Sequence, residues 1–403
     1  MTIRTGDVAA CVSGYAARLH AAIGTGHHVA SPLGAWLLLA LAAPASSGPD
    51  RARLTEALGC DAGTAARIAA DLLAYPHPEV AGAAAVWTAR GARPSKHFLA
   101  WRHGLPAAVT RGDMPDQATA DAWAREHTLG LIERFPVESA GAWLLLATAL
   151  ATRVSWQVPF ALAPARDLGP ASDWSRQLHQ VLRTPDPEHQ RGHRSFIAAT
   201  GEAGDVSVHA AAAQHGLLVY SVAAAPGVPA ASVLAAAHRI GCADATGGAV
   251  SRRSLAELPL GDGPAWQLRE ESPARGRDIC TAVLPAWSAT SSHDLRDPSL
   301  GFGAAASALG TGPDPWQARQ AAMARYSRTG FEAAALTAMA ARASMARPGG
   351  SRRVAELRFG HPYAVVAVAI DGNEDTRASQ EGHRAWHGVP VFSAWVAQPQ
   401  DAE

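Results

Sequence analysis

The amino-acid sequence predicts an α+β fold, and three observations carry that prediction. Helical periodicity dominates the early part of the chain, whereas after about residue 205 short apolar runs alternate with Gly, Pro and Asp turns. The order is helices first and antiparallel strands later, not the regular strand-helix alternation of a parallel α/β sheet. At 403 residues, 48% hydrophobic, the chain can bury a large core, and no linker, charge block or repeat divides it. A single domain over residues 1–403 is therefore expected.

The elements can be taken in order. Residues 5–23 carry helical periodicity, and HHVAS leads as a short strand into PLGAWLLLALAA, a buried helix with Pro32 in its first turn and Ser31 as N-cap. RARLTEALG (51–59) and ATADAWAREHTLGLIERF (118–135) read as amphipathic helices, the second with Gly130 near its end. WLLLATALATRVSW (143–156) has the length and continuous apolarity of a central strand buried on both faces. Later runs, VSVHA, GLLVYSVAA, RDICTAVLPAW, AELRFG, YAVVAVAI and VPVFSAWVA, read as strands.

Composition excludes several function classes. The 35 basic and 35 acidic side chains cancel, which gives no electrostatic reason to expect nucleic acid or an anionic membrane as partner. GAWLLLALAAPA is too short to span a bilayer. The start of the chain lacks an apolar h-region followed by a cleavage site. Cys11, Cys60, Cys242 and Cys280 are widely spaced, without zinc-ligand pairing, and read as buried thiols.

Catalytic and cofactor motifs are weak. No G-x-S-x-G elbow, H-E-x-x-H or Walker loop occurs, and Gly301-Phe302-Gly303 follows turn-like sequence where a dinucleotide site needs a strand. His189 and His193 have a spacing a metal could use on a helix, but no partner completes the set and they read as surface. Arg111-Gly112-Asp113 reads as a turn. No enzyme activity, cofactor or metal is expected.

Seven stretches, in order, resemble one family, the serpins, serine protease inhibitors that act by inserting a loop into a sheet. VASPLGAWLLLALAAPASS is similar to the family's S-P-L-S segment and helix, and LTEALG to its next helix. DAWAREHTLGLI keeps Trp123, Thr128, Gly130 and Ile132 of W-x-x-x-x-T-x-G-x-I, and LLLATALATRVSWQVPF keeps Trp156, Pro159 and Phe160 of G-x-W-x-x-P-F. LPAWSATSSHDLRDPSLGFG is similar to LPKFKIESSYDLKDPLKALG of relatives. RFGHPYAVVAVA and VPVFSAWVAQP resemble the paired strands F-x-x-P-F-x-F-x-I and P-I-L-F-M-G-R-V-x-x-P. The implied fold has N-terminal helices on a large mixed or antiparallel sheet, further antiparallel sheets, and an exposed reactive-centre loop.

That resemblance decides how GFEAAALTAMAARASMARPGG (330–350) is read. By propensity alone it is a helix. In the family register, residues 328–353 are the reactive loop and its hinge, and Gly330, Phe331, Glu332, Ala333, Ala334, Ala335, Leu336 and Thr337 convert from loop to central strand once a protease cuts further along. Phe331, Ala333, Ala335 and Thr337 would face inward, and small side chains there let a strand slide between two others. Ser31, Pro32, Thr148 and Trp156 occupy positions the family uses to hold the sheet.

The implied function is suicide inhibition of a serine or cysteine protease as a monomer, through a covalent acyl-enzyme, with no nucleic-acid or membrane partner. Several residues depart from the family. Phe331 replaces a small residue, and overpacking of about 1–3 kcal/mol on the barrier slows insertion roughly 10- to 100-fold; a non-inhibitory binding protein is the alternative. Arg328 and Thr329 replace an acidic pair, Thr148 an Asn, and Gln320 a His. Counted from Gly330 as the resemblance implies, the scissile bond falls near Ser344, with Arg342, Met345 and Arg347 also open; an arginine selects trypsin-like enzymes, Ser344 or Met345 elastase- or subtilisin-like ones. The resemblance implies an extracellular protein, the start of the chain a cytoplasmic one.

Overall fold

The computed structural model describes residues 5–135, 142–152, 154–186, 190–272, 277–311, 315–331, 351–370 and 385–403. The first elements are α1 (Thr5–Ile23), β1 (His28–Ala30), α2 (Pro32–Ala42), α3 (Gly48–Leu58), α4 (Ala62–Ala74), β2 (Ala81–Thr88), α5 (Lys96–Gly104), β3 (Val109–Asp113), α6 (Gln117–His127) and β4 (Leu144–Ala151). There follow β5 (Val154–Ser155), β6 (Ala161–Pro164), α7 (Trp174–Gln177), β7 (Gln180–Arg183), β8 (His193–Thr200), β9 (Gly204–Ala212), β10 (Leu217–Ala223) and α8 (Ala230–Ala245). The chain continues with β11 (Gly261–Asp262), β12 (Trp266–Glu271), β13 (Ile279–Leu284), β14 (Trp287–Asp294) and α9 (Phe302–Ala308). It ends with β15 (Trp316–Tyr326), β16 (Gly330–Phe331), β17 (Arg352–Arg358), β18 (Tyr363–Ala369) and β19 (Pro390–Val396).

Two compact units emerge, one from residues 1–152, 289–324 and 367–394, the other from 153–288, 325–366 and 395–403. The first unit is built on a five-stranded sheet ordered β14-β15-β4-β2-β3. β4 pairs antiparallel with β2 and parallel with β15, from Trp316 opposite Leu144 to Ala322 opposite Leu150. Every residue of β4 is buried because helices cover both faces. On one face Leu145, Ala147, Ala149 and Ala321 join Ala120, Trp123 and Ala124 of α6 in one apolar cluster. On the other, Thr148 and Leu150 press against α2, so closely that a Cβ on Gly34 would meet Thr148 Oγ1 at 2.8 Å.

Local chemistry explains the helix ends. Ser31, extended at φ −109°, accepts from the Gly34 N–H, and Pro32 opens α2, whose residues are all buried. α6 stops at His127, short of the expected 135, because Thr128 turns its hydroxyl onto Ala124 O at 2.6 Å and receives Ile132 N at 3.1 Å. Leu129 and Gly130 then take positive φ, which ends a right-handed helix. Arg111-Gly112-Asp113, expected as a turn, is instead the end of β3, paired in parallel with Val86 to Thr88 of β2.

The second unit contains a six-stranded sheet ordered β11-β12-β17-β13-β7-β6 and the strands β18-β10-β9-β8 of another. The former is mixed, not antiparallel throughout, since β13 runs parallel to β17. α8 closes over β10 through Tyr220 Oη, which donates to the Asp244 carboxylate at 2.9 Å. Among the described residues no helix is long and apolar enough to cross a membrane.

Candidate functional site

Two groups of residues singled out in the sequence have their geometry fixed, one in each unit. In the first unit Ser31 does more than cap α2. Its hydroxyl also donates to Val391 O at 2.8 Å, its N–H donates to Gln320 Oε1 at 2.9 Å, and Gln320 Nε2 returns a bond to Ser31 O at 2.7 Å. Gln320 lies on β15 directly opposite Thr148 on β4, and both are buried. The reciprocal amide pair thus satisfies a backbone donor that would otherwise be buried and unpaired, and gives the Ser31 carbonyl, which already accepts from Ala35 N at 3.2 Å, a second donor. Glutamine supplies one donor and one acceptor on the same group, which accounts for its presence at this position.

In the second unit the chain leaving β15 is held at every backbone step. Trp156 Nε1 donates to Ser327 O at 3.0 Å, Phe160 N to Arg328 O at 2.9 Å, and Trp156 N to Thr329 O at 3.1 Å. Arg328 Nε donates to Phe160 O at 3.1 Å, a bond no acidic side chain could make there. Ser327 closes the turn, its N–H and hydroxyl both donating to Gly330 O at 2.9 Å. Gly330 and Phe331 then form β16, antiparallel to β5, with Gly330 opposite Ser155 and Phe331 opposite Val154. A Cβ on Gly330 would fall 2.1 Å from Val154 O, so this approach admits only glycine.

An aromatic core lies under this turn. Trp156, Phe160, Trp287 and Tyr326 are almost fully buried, with the Trp156 and Tyr326 rings 5.0 Å apart and Trp287 stacked on Tyr326 at 6.1 Å. His193, expected at the surface, is 5% exposed, and its ring lies 4.6 Å from that of Phe160. His193 Nε2 must carry the proton it gives to Val158 O at 2.7 Å, so Nδ1 is left to accept from His209 Nε2 at 3.2 Å. Burial holds His193 below the usual histidine range and His209 well below it. The pair is neutral and internal, beneath the turn that carries β16, and no group of residues that could hold a metal ion occurs among the described residues; His189 lies outside them.

By sequence the chain matches no family model and no curated protein. Solved structures match over nearly its whole length. Tengpin, a thermophilic serpin in its native state, is similar with a TM-score of 0.66 at 12% identity, covering 99% of this chain and 95% of that one. A highly specific serpin of the insect Tenebrio molitor is similar with a TM-score of 0.62 at 13% identity, covering 99% and 100%. Human thyroxine-binding globulin in complex with thyroxine gives 0.62 at 11% identity, covering 98% and 99%. The chain has the serpin fold.

Within that serpin fold, Ser31, Pro32, Thr148 and Trp156 sit where strands and helices are cross-tied, and Gly330 and Phe331 form the β16 pairing. Glu332, Ala333, Ala334, Ala335, Leu336 and Thr337, with the scissile candidates Arg342, Ser344, Met345 and Arg347, lie outside the described residues. The sequence reading missed β15 itself as a strand. WQARQAAMARY looks helical by propensity and carries buried Gln317, Arg319 and Gln320, so only its pairing with β4 identifies it. The four cysteines, expected to be buried, are all partly exposed, and none is fully buried.

Proposed function

We propose that this protein is a suicide inhibitor of a serine or cysteine protease, acting outside the cell, whose loop inserts into the five-stranded sheet after cleavage. The observation that carries this reading is the direct parallel ladder between β4 and β15. A strand turning back from β15 runs antiparallel to both, so inserting it exchanges one parallel ladder for two antiparallel ones, the more stable kind per residue. With ~10 residues gained at about 1 kcal/mol per hydrogen bond, plus burial, the drop is on the order of 10 kcal/mol or more.

The hinge register supports the same reading. β16 runs antiparallel to β5, which follows β4 in the chain, with 330 opposite 155 and 331 opposite 154, each pair of numbers summing to 485. Continuing that sum sets Thr337 against Thr148 and Ala341 against Leu144, the first residue of β4. Directly opposed residues share a face. Ala335 and Thr337 would therefore join Leu150 and Thr148 on the α2 face, while Ala334 and Leu336 would join Ala151 and Ala149. To cover all of β4 the cut must follow Ala341, as it does at Arg342, Ser344, Met345 or Arg347.

The intact segment is tethered at both ends, by β16 before it and by β17 after it. β17 is paired on one edge with β12 and on the other with β13, and Arg352 is gripped by Glu271 at 2.7 Å. Cleavage frees one end and starts insertion, which then competes with hydrolysis of the acyl-enzyme. Phe331 weighs less against this mechanism than its size suggests, because its backbone is already in the ladder before any cut.

The similarity to thyroxine-binding globulin keeps a second reading, a serpin-fold binding protein whose loop is cut without trapping the protease. Incubation with trypsin, elastase and subtilisin, followed by denaturing gels, loop sequencing and melting, separates the two. Inhibition gives an SDS-resistant complex and a large rise in melting temperature of the cleaved protein. Complete cleavage with neither change supports the binding protein.

A further inference from the structure

The Cys60 thiol is pushed well above the usual cysteine range, chiefly by a side-chain hydrogen bond with Cys11 and then by burial, although the two residues stand far apart in sequence. Cys11 lies in the second turn of α1, and Cys60 follows Gly59, the left-handed cap of α3. The cap stands directly on α1, since a Cβ on Gly59 would lie 3.6 Å from Cys11 Cα and 3.7 Å from its sulfur. Two turns further along α1, Arg18 reaches Glu56 in the last turn of α3 with an ion pair of 3.4 Å and donates to its backbone carbonyl. Both residues are partly exposed, and neither is sealed in the core.

We propose that Cys11 and Cys60 form a reversible disulfide that ties α1 to the end of α3 under oxidising conditions. The reaction is thiol–disulfide exchange with a small disulfide such as oxidised glutathione. One cysteine loses its proton and attacks a sulfur of the reagent, breaking its S–S bond and releasing one thiolate. The second cysteine loses its proton and attacks the mixed disulfide, forming the Cys11–Cys60 bond and releasing the second thiolate. The cysteines are oxidised by two electrons, the reagent is reduced by two, and the two protons end on the released thiols. α1 and the cap of α3 already hold the two cysteines side by side, so the second step is intramolecular and outruns capture of another reagent molecule. In an oxidising compartment the bridge persists, and in a reducing cytoplasm it opens. This inference does not depend on protease inhibition.

The full-length protein is incubated with oxidised glutathione, the remaining thiols are alkylated, and peptides are mapped without reduction. The expected result is one cross-linked pair joining the Cys11 and Cys60 peptides, alkylation falling from the four free cysteines to two, and an apparent Tm rise on the order of 5 °C that dithiothreitol reverses. The proposal is overturned if Cys11 and Cys60 remain alkylatable, or if glutathione adducts accumulate on them without a cross-link. Cys60→Ser gives a second measure: Cys11 should then retain glutathione as a stable adduct, and an unmodified Cys11 counts against the proposal.

Discussion

At the scale of single residues, Gly330 and Gln320 show how little substitution the candidate site admits. Gly330→Ala would drive a methyl group into Val154 O, and relieving that contact means separating β16 from β5 at a cost of about 1–3 kcal/mol. Amide exchange over residues 154–155 and 327–331 should rise at least roughly tenfold; unchanged exchange would mean that the turn tolerates a side chain. Gln320→Leu keeps the volume but strands the buried N–H of Ser31 and removes the second donor to its C=O, which keeps only Ala35 N, a loss of about 1–3 kcal/mol. A urea titration should show that loss, and a midpoint equal to the wild type would rule out the amide pair as a stabilising element. Ser31 and Trp156 were legible in the sequence through the cap pattern and the family motif. The role of Gln320 was not, because its partner is 289 positions away.

At the scale of elements, packing overrides propensity in both directions. Gly34→Ala in α2 should gain about 1 kcal/mol as a helix substitution. The new methyl would instead meet Thr148 Oγ1 at 2.8 Å and Leu150 Cδ1 at 2.9 Å on β4, so we expect a net loss of about 1–2 kcal/mol in chemical denaturation. A stabilised variant would show that α2 can move off the sheet. The same competition explains which elements could be read. α1 and α2 announce themselves by periodicity and capping, and β4 by its unbroken apolar run. β15 carries alanines, two glutamines and two arginines, a helical composition, and becomes a strand because it lies between β14 and β4 in one sheet. α6 shows the reverse, since Thr128 withdraws into a local side-chain bond and cuts short a helix that propensity would extend.

At the scale of the whole molecule, buried neutral histidines make stability depend on pH. Burial lowers His28 and His238 to about 4, and pushes His193, His209, His293 and His361 down as well. Their folded-state affinity for protons lies below that of an unfolded histidine near 6.5, so the unfolded chain takes up more protons between about pH 6.5 and 4. Stability should be flat above pH 7 and fall steeply as pH drops through that window, His28 alone contributing on the order of 3 kcal/mol. Urea midpoints at pH 7.5, 5.5 and 4.5 test this; a midpoint constant down to pH 5 would mean these rings are hydrated. The sequence alone determined the α+β class, the order of the main helices and strands, and the likeness that singles out Gly330 to Thr337, because periodicity, caps and short motifs are local. Only the tertiary structure decided that β15 is a strand parallel to β4, that Gly330 and Phe331 enter a ladder against β5, and that Cys11 meets Cys60. Each of those depends on residues distant in sequence arriving at hydrogen-bonding distance, and no local preference encodes such a meeting.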